Sequence, residues 1–191
     1  MEAVGRALSL SGFRSRETCK PERLKPVQLE TQKQAISIWL VNMPVQEFVT
    51  NSSEETIAKG RELAQQLRAP VLVLLRGDLG SGKTTLTKGI ISGLGAAREE
   101  DVTSPTFNLV HEFHNHSKVY HVDLYRVETF PDLESLGLED ALSEKAIVII
   151  EWPERFTLRT DWPTVEIRLN HAGGDLRRIS ISGLIVEIEL K

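Results

Sequence analysis

The chain has 191 residues, of which 40% are hydrophobic and 26% are charged, which is the size and balance of one globular domain. Its net charge of −4 excludes a global basic field that would hold a nucleic acid by itself, and no apolar run approaches the roughly 20 residues of a membrane span. Cys19 is the single cysteine, so an internal disulfide is excluded and a reducing compartment such as the cytoplasm is expected.

The first part of the chain, residues 1–44, carries few signals of ordered structure. Pro21, Pro26 and Pro44 interrupt it, and no sustained hydrophobic period appears. We interpret it as a flexible N-terminal extension and expect the folded domain to cover residues 45–191. Arginines and serines near the start resemble an organelle transit peptide, but acidic residues follow soon after. A cytoplasmic protein is therefore expected, with an organellar one as the alternative.

The rest of the chain predicts alternating strands and helices. Continuous apolar runs at 71–75 and 146–150 are typical of strands buried on both faces, as in a parallel sheet. The remaining predictions are strands at 46–50 and 119–124, helices at 53–67, 84–94 and 132–142, and a hairpin of 164–169 with 178–182. This order predicts an α/β fold with a mostly parallel central sheet flanked by helices and an antiparallel C-terminal hairpin.

A glycine-rich loop follows the strand at 71–75 directly. It reads Gly77-Asp-Leu-Gly-Ser-Gly82-Lys83-Thr84, the Walker A pattern of P-loop nucleotide triphosphatases. Such glycines let backbone N–H groups point at phosphate oxygens, and the helix that follows adds the positive end of its dipole. Lys83 is expected to reach the β- and γ-phosphates and the Thr84 hydroxyl to bind Mg²⁺. The strand before and the helix after argue against a chance glycine turn.

Two carboxylates come at the ends of predicted strands. Glu151 follows the apolar run Ile147-Val-Ile-Ile, a Walker B-like ending that is expected to supply the second Mg²⁺ ligand. Asp123 is expected either to position the attacking water or to bind Mg²⁺ through water. The alternatives are a strand that merely reaches solvent at Glu151 and an ordinary surface-turn aspartate at Asp123.

Two further segments carry weaker signals. Residues 103–107, Thr-Ser-Pro-Thr-Phe, lie where many P-loop proteins have a mobile segment that senses the γ-phosphate, although Ser-Pro alone indicates only a turn. His111, His114 and His116 lie close together in a polar stretch without cysteine, so a solvated loop is a better interpretation than a zinc site.

Five motifs together resemble the TsaE family, also called YjeE, the ATPase of bacterial tRNA threonylcarbamoyladenosine synthesis. They lie at residues 77–85, 103–107, 120–126, 136–140 and 150–154, and the resemblance runs from about Phe48 to Ile181. It implies a P-loop domain that binds ATP and docks on a complex of TsaB and TsaD, which installs threonylcarbamoyl on adenosine 37 of tRNA. The family member hydrolyses ATP while docked there and contacts tRNA only indirectly, through that complex.

The resemblance also implies residue roles. Thr84 and Glu151 match the Mg²⁺ ligands, Asp123 a residue important for hydrolysis, and Trp152 a tryptophan beside the nucleotide. The catalytic residues are then Asp123, Glu151 and Lys83, and the nucleotide contacts are Asp78, Leu79, Gly80, Ser81, Gly82, Lys83, Thr84, Thr85 and Trp152. Ser81 stands where the family often has alanine, and the compact family core has no counterpart of residues 1–44.

Three other classes share a P-loop. A regulatory GTPase usually reads guanine with Asn-Lys-x-Asp, which does not occur in this sequence. A small-molecule kinase needs a basic lid over the phosphates, and no arginine-rich lid is evident after Leu142. A nucleotide-dependent binding or regulatory protein stays open, since only turnover with and without partners separates it from an ATPase.

Overall fold

The computed structural model describes residues 8–9, 45–105, 108–156 and 158–183. The helices are α1 (Ser53–Ala64), α2 (Lys83–Gly93), α3 (Phe130–Glu134) and α4 (Leu138–Ser143), and short 3-10 turns span Glu99–Asp101 and Pro153–Arg155. The strands are β1 (Leu8–Ser9), β2 (Gln46–Thr50), β3 (Val71–Arg76), β4 (Val110–His114), β5 (Lys118–Asp123), β6 (Ile147–Glu151), β7 (Leu158–Arg159), β8 (Thr164–His171) and β9 (Arg177–Ser182).

Within the described residues, seven strands form one sheet in the order β2-β9-β8-β3-β6-β5-β4. Its centre is parallel, since β3 pairs with β8 and β6, and β6 pairs with β5. Antiparallel pairs flank it: β9 with β8 and β2 on one side, and β4 with β5 on the other. The predicted α/β class, the mostly parallel centre and the C-terminal hairpin are confirmed.

Helices cover both faces of β3 and β6, which is why residues 71–75 and 147–150 are all apolar. Alternate residues of β3 face opposite layers: Val73 packs with α1 and α2, whereas Leu72 packs with α3 and α4. The helices α1 and α2 approach each other through glycine. A Cβ at Gly89 would lie 2.1 Å from the Ile57 carbonyl oxygen, so any side chain there would push the two helices apart.

The prediction of one continuous helix at 132–142 is wrong. The structure has two short helices, because Gly137 takes a left-handed conformation with φ of 62° between them. The first begins earlier than predicted, at a capping box formed by Thr129 and Asp132. The helix predicted at 53–67 also ends early, at Ala64, well before Pro70.

The segment that the histidines suggested to be a solvated loop contains strand β4, with His111 and His114 in it. Among the described strands it is an edge strand that pairs only with β5, and its polar, partly exposed residues lack the apolar pattern that predicts a strand. His114 Nε2 lies 2.6 Å from Glu112 Oε1. In the part of the chain that the structure describes, no three His, Cys, Asp or Glu residues are grouped as metal ligands.

Two sequence predictions concern residues outside this description. Of the N-terminal extension, only Leu8–Ser9 is described, and it pairs in parallel with Leu158–Arg159. In the segment predicted to sense the γ-phosphate, residues 106–107 lie outside the described residues. Within those that are described, no helix is both long and apolar enough to cross a membrane.

Candidate nucleotide-binding site

The carboxyl ends of the parallel strands β3, β6 and β5 meet at one cleft of about 430 Å³. Open α/β sheets bind their ligands at this edge. Of the predicted nucleotide contacts, Leu79, Gly80, Gly82, Lys83, Thr84, Thr85 and Trp152 line the cleft. Asp78 and Ser81 do not line it. The Asp78 carbonyl accepts hydrogen bonds from Lys83 and from the Ser81 N–H, while the Ser81 side chain is buried beneath the loop.

The glycine-rich loop turns tightly between β3 and α2. Gly77 has φ of 142°, and a Cβ there would lie 2.3 Å from the Leu169 carbonyl oxygen of β8. Only glycine therefore allows the loop to lie this close to β8. Helix α2 starts after Gly82, and no side chain caps its first N–H groups. Those donors, together with the helix dipole, form a site suited to a phosphate group.

The Lys83 ammonium group lies inside this loop. Nζ donates to the carbonyl oxygens of Gly77 at 2.8 Å and Asp78 at 2.9 Å, and it lies 3.7 Å from the centre of the Trp152 ring. These carbonyls use two of its three N–H donors. Burial lowers the pKa of Lys83, and nearby carboxylates, Glu151 first among them, act in the opposite direction.

The predicted metal ligands Thr84 and Glu151 contact each other. Thr84 Oγ1 donates to Glu151 Oε2 at 3.0 Å, and the Glu151 side chain is only 2% exposed. The interpretation of Glu151 as a residue that reaches solvent is therefore wrong. A hydroxyl and a carboxylate oxygen facing one point are hard ligands, and Mg²⁺ is usually held by one or two such groups together with substrate phosphates. The residues present fit Mg²⁺.

The sequence did not single out two residues that hold Glu151 from behind. His121 Nε2 lies 2.9 Å from Glu151 Oε1, and Thr87 Oγ1 lies 3.3 Å from the same oxygen. Both side chains are fully buried. The available signals are spacing: His121 shares a strand face with Asp123 two residues later, and Thr87 follows Lys83 by one helical turn.

Asp123 is a buried, anchored carboxylate rather than a surface-turn residue, with 7% of its surface exposed. Ser104 Oγ donates to its Oδ2 at 2.5 Å, and the Tyr125 N–H donates to its Oδ1 at 3.0 Å. Asp123 also lies directly opposite Glu151 in the pairing of β5 with β6. The cleft therefore has its two buried carboxylates side by side.

An aromatic pair borders the same cleft. Trp152 takes a left-handed conformation with φ of 61°, and its backbone N–H donates to the Leu75 carbonyl oxygen at 3.2 Å. The centroid of the Trp152 ring lies 4.9 Å from the centroid of the Tyr125 ring, and both side chains line the cleft. Arg126 lines it too, next to Tyr125.

Comparisons with known proteins concern the family and the fold of the chain. The family model described as "Threonylcarbamoyl adenosine biosynthesis protein TsaE" matches residues 50–179. The protein of Treponema pallidum named tRNA threonylcarbamoyladenosine biosynthesis protein TsaE is 32% identical over 134 residues, covering 70% of this chain and 98% of that protein. The Bacillus subtilis protein of the same name is 34% identical over 136 residues, covering 71% of this chain and 84% of that one.

Among solved structures, the crystal structure of YdiB from Bacillus subtilis is similar, with a TM-score of 0.58 and 29% sequence identity. The match covers 75% of this chain and 89% of that one. The likeness supports the predicted P-loop NTPase fold.

Proposed function

The chain belongs to the TsaE family of threonylcarbamoyl adenosine biosynthesis proteins, and from that premise we propose that it binds and hydrolyses ATP in a Mg²⁺-dependent reaction. The observation that carries the proposal is the contact of Thr84 with Glu151 beside the buried Lys83 ammonium group. The glycine-rich loop, the Lys83 ammonium group and two hard oxygen ligands lie together at one edge of the sheet. This is the set of groups that P-loop enzymes use on a nucleoside triphosphate.

Each of these residues has a defined task in the proposed reaction. The loop N–H groups and Lys83 bind and neutralise the phosphates, and Thr84 with Glu151 holds the metal ion. Mg²⁺ held by these two residues would supply positive charge that neutralises the phosphates during the reaction. Asp123, fixed by Ser104 and the Tyr125 N–H, orients the attacking water. Trp152 borders the nucleotide and limits the water that reaches the Lys83 ammonium group.

The proposal extends to partners and place. The family takes part in threonylcarbamoyladenosine biosynthesis on tRNA. We therefore assign ATP hydrolysis to a complex with TsaB-type and TsaD-type proteins, where it sustains their catalytic cycles. tRNA is contacted through that complex, in keeping with the net charge of −4. The cytoplasm is the proposed compartment.

Co-purification with TsaB-type and TsaD-type proteins, with and without Mg²⁺ and ATP, tests this proposal. We expect ATP to increase retention of the wild-type protein and to have no effect on Lys83→Ala. Lys88→Ala, on the same helix α2, is the matched control and should behave as wild type. Retention that is the same with and without ATP would leave the site without a role in assembly and would contradict this part of the proposal.

A further inference from the structure

The Glu151 carboxylate needs several hydrogen-bond donors, because burial of a charged group is costly unless it is paired. Three neighbours among the described residues can donate: Thr84 Oγ1 at 3.0 Å from Oε2, and both His121 Nε2 at 2.9 Å and Thr87 Oγ1 at 3.3 Å from Oε1. These donors differ in whether they also interact with groups other than Glu151.

The two threonine hydroxyls are shared with other groups. Thr87 Oγ1 lies closer to the Lys83 carbonyl oxygen, at 3.0 Å, than to Glu151, and a hydroxyl has one proton to donate. Thr84 Oγ1, the proposed metal ligand, donates its proton to Oε2 rather than to Oε1. Neither threonine therefore fixes the position of Oε1 by itself.

Among the described residues, Glu151 is the only hydrogen-bond partner of the His121 ring. Its other ring nitrogen, Nδ1, is buried without a hydrogen-bond partner there, and the ring is fully buried. A carboxylate can only accept, so the Nε2 proton points at Glu151. Packing within the sheet fixes the ring, because His121 lies in the middle of β5 between β4 and β6.

We propose that His121 is a positioning residue for the metal site: its Nε2–H holds Glu151 Oε1 on the buried side, so that Oε2 faces Thr84 and Mg²⁺. The inference rests on the proposed function, since that function makes Glu151 a metal ligand. His121 itself does not line the cleft, whereas Lys83 and the loop do. Loss of the His121 hydrogen bond should therefore weaken metal-dependent binding and leave metal-free binding of ATP unchanged.

The test compares the affinity for a non-hydrolysable ATP analogue in Mg²⁺ and in EDTA, measured by calorimetry. The readout is the dissociation constant in EDTA divided by the dissociation constant in Mg²⁺, a ratio that a general loss of folded protein does not change. Removal of a residue that orients a metal ligand typically lowers metal affinity by about 10- to 100-fold, so His121→Leu should lower the ratio by about tenfold or more. His121→Gln, whose amide N–H reaches the position of Nε2, should keep the wild-type ratio.

His111→Gln is the matched control, because His111 pairs directly with His121 but lies on β4, on the side of β5 opposite to β6 and Glu151. It should keep the wild-type ratio. If His121→Leu does not fold, His121→Asn replaces it, since its shorter amide stops near the position of Nδ1 and does not reach Glu151. A double variant with Glu151→Gln should show no further loss when His121 is also changed, because the two residues act as one unit.

Two results overturn the inference. One is a wild-type ratio in His121→Leu or His121→Asn. The other is an equal loss in His121→Gln and His121→Leu, which would assign the effect to packing. If the wild-type protein itself binds the analogue equally well in Mg²⁺ and in EDTA, the proposed metal site fails instead, and the two failures are distinguishable.

Discussion

Thr84 and Glu151 are 67 positions apart in the sequence, and Thr84 Oγ1 donates a hydrogen bond to Glu151 Oε2 at 3.0 Å. The pairing of β3 with β6 explains the contact, because Leu75 lies opposite Glu151 and the glycine-rich loop begins two residues after Leu75. The register of these two parallel strands thus brings the glycine-rich loop and the proposed metal ligand Glu151 to one point. The predictions below depend on this arrangement.

Lys83→Ala should weaken ATP binding. Loss of a hydrogen bond to a charged group costs roughly 1.5–3 kcal/mol, which corresponds to about a 10- to 100-fold loss of affinity. Lys88→Ala, five positions into the same helix, removes an equal charge away from the cleft lining and should bind ATP as the wild type does. Calorimetric titration with ATP is the measurement. Unchanged affinity in a folded Lys83→Ala protein would remove Lys83 from the phosphate site.

Gly89→Ala should destabilise the domain. The added Cβ would lie 2.1 Å from the Ile57 carbonyl oxygen, and backbone atoms of α1 cannot rotate away as a side chain does. Overpacking of this kind costs about 1–3 kcal/mol in the free energy of unfolding. Urea unfolding checks it, with Lys88→Ala as the neighbouring control. If Gly89→Ala unfolds at the wild-type urea concentration, the two helices are not packed this closely.

A protein that begins at Val45 should bind ATP with the affinity of the full chain. The described part of residues 1–44 is the two-residue strand β1, which pairs with β7 in a small sheet separate from the seven-stranded sheet whose strand ends form the cleft. The measurement is calorimetric titration of both proteins with ATP. A shortened protein that is insoluble, or that does not bind ATP, would show that the boundary at 45 is wrong.

Asp123→Ala should separate binding from hydrolysis. The carboxylate is held by Ser104 and by the Tyr125 N–H, so its position does not depend on the loop that binds the phosphates. ATP affinity and docking on the TsaB–TsaD pair should therefore remain, while stimulated turnover falls by about a hundredfold or more, as expected when a residue that positions the reacting proton is removed. Asp161→Ala, on an exposed turn, is the control. Full stimulated turnover in Asp123→Ala would exclude Asp123 from the mechanism.

The sequence predicts those parts of the fold that local chemistry determines. The strands β3 and β6 are continuous apolar runs, and the glycine spacing of the phosphate loop requires the conformation that Gly77 adopts. Strand β4 was missed because its pairing partner, rather than its own polar sequence, makes it a strand. The break at Gly137 was missed because apolar residues continue at helical spacing on both sides of it.

The residues of the candidate site likewise divide into those that a local motif predicts and those that only strand pairing brings together. Lys83, Thr84 and Glu151 could be named from motifs, since each lies beside a glycine-rich loop or at the end of an apolar run. The role of His121 could not, because its contact with Glu151 spans 30 positions and depends on the register between β5 and β6. A lone histidine in a strand gives no local signal of what lies on the neighbouring strand.

The measurement that tests the central claim most directly is steady-state phosphate release from Mg²⁺-ATP by the protein alone and with the TsaB–TsaD pair. Phosphoryl transfer depends on positioning and on neutralising charge at the γ-phosphate, and we propose Lys83, Thr84, Glu151 and Asp123 for that task. We predict slow release by the protein alone, faster release with the pair, and neither in Lys83→Ala. Equal release with and without the pair, or release that Lys83→Ala retains, would contradict the account.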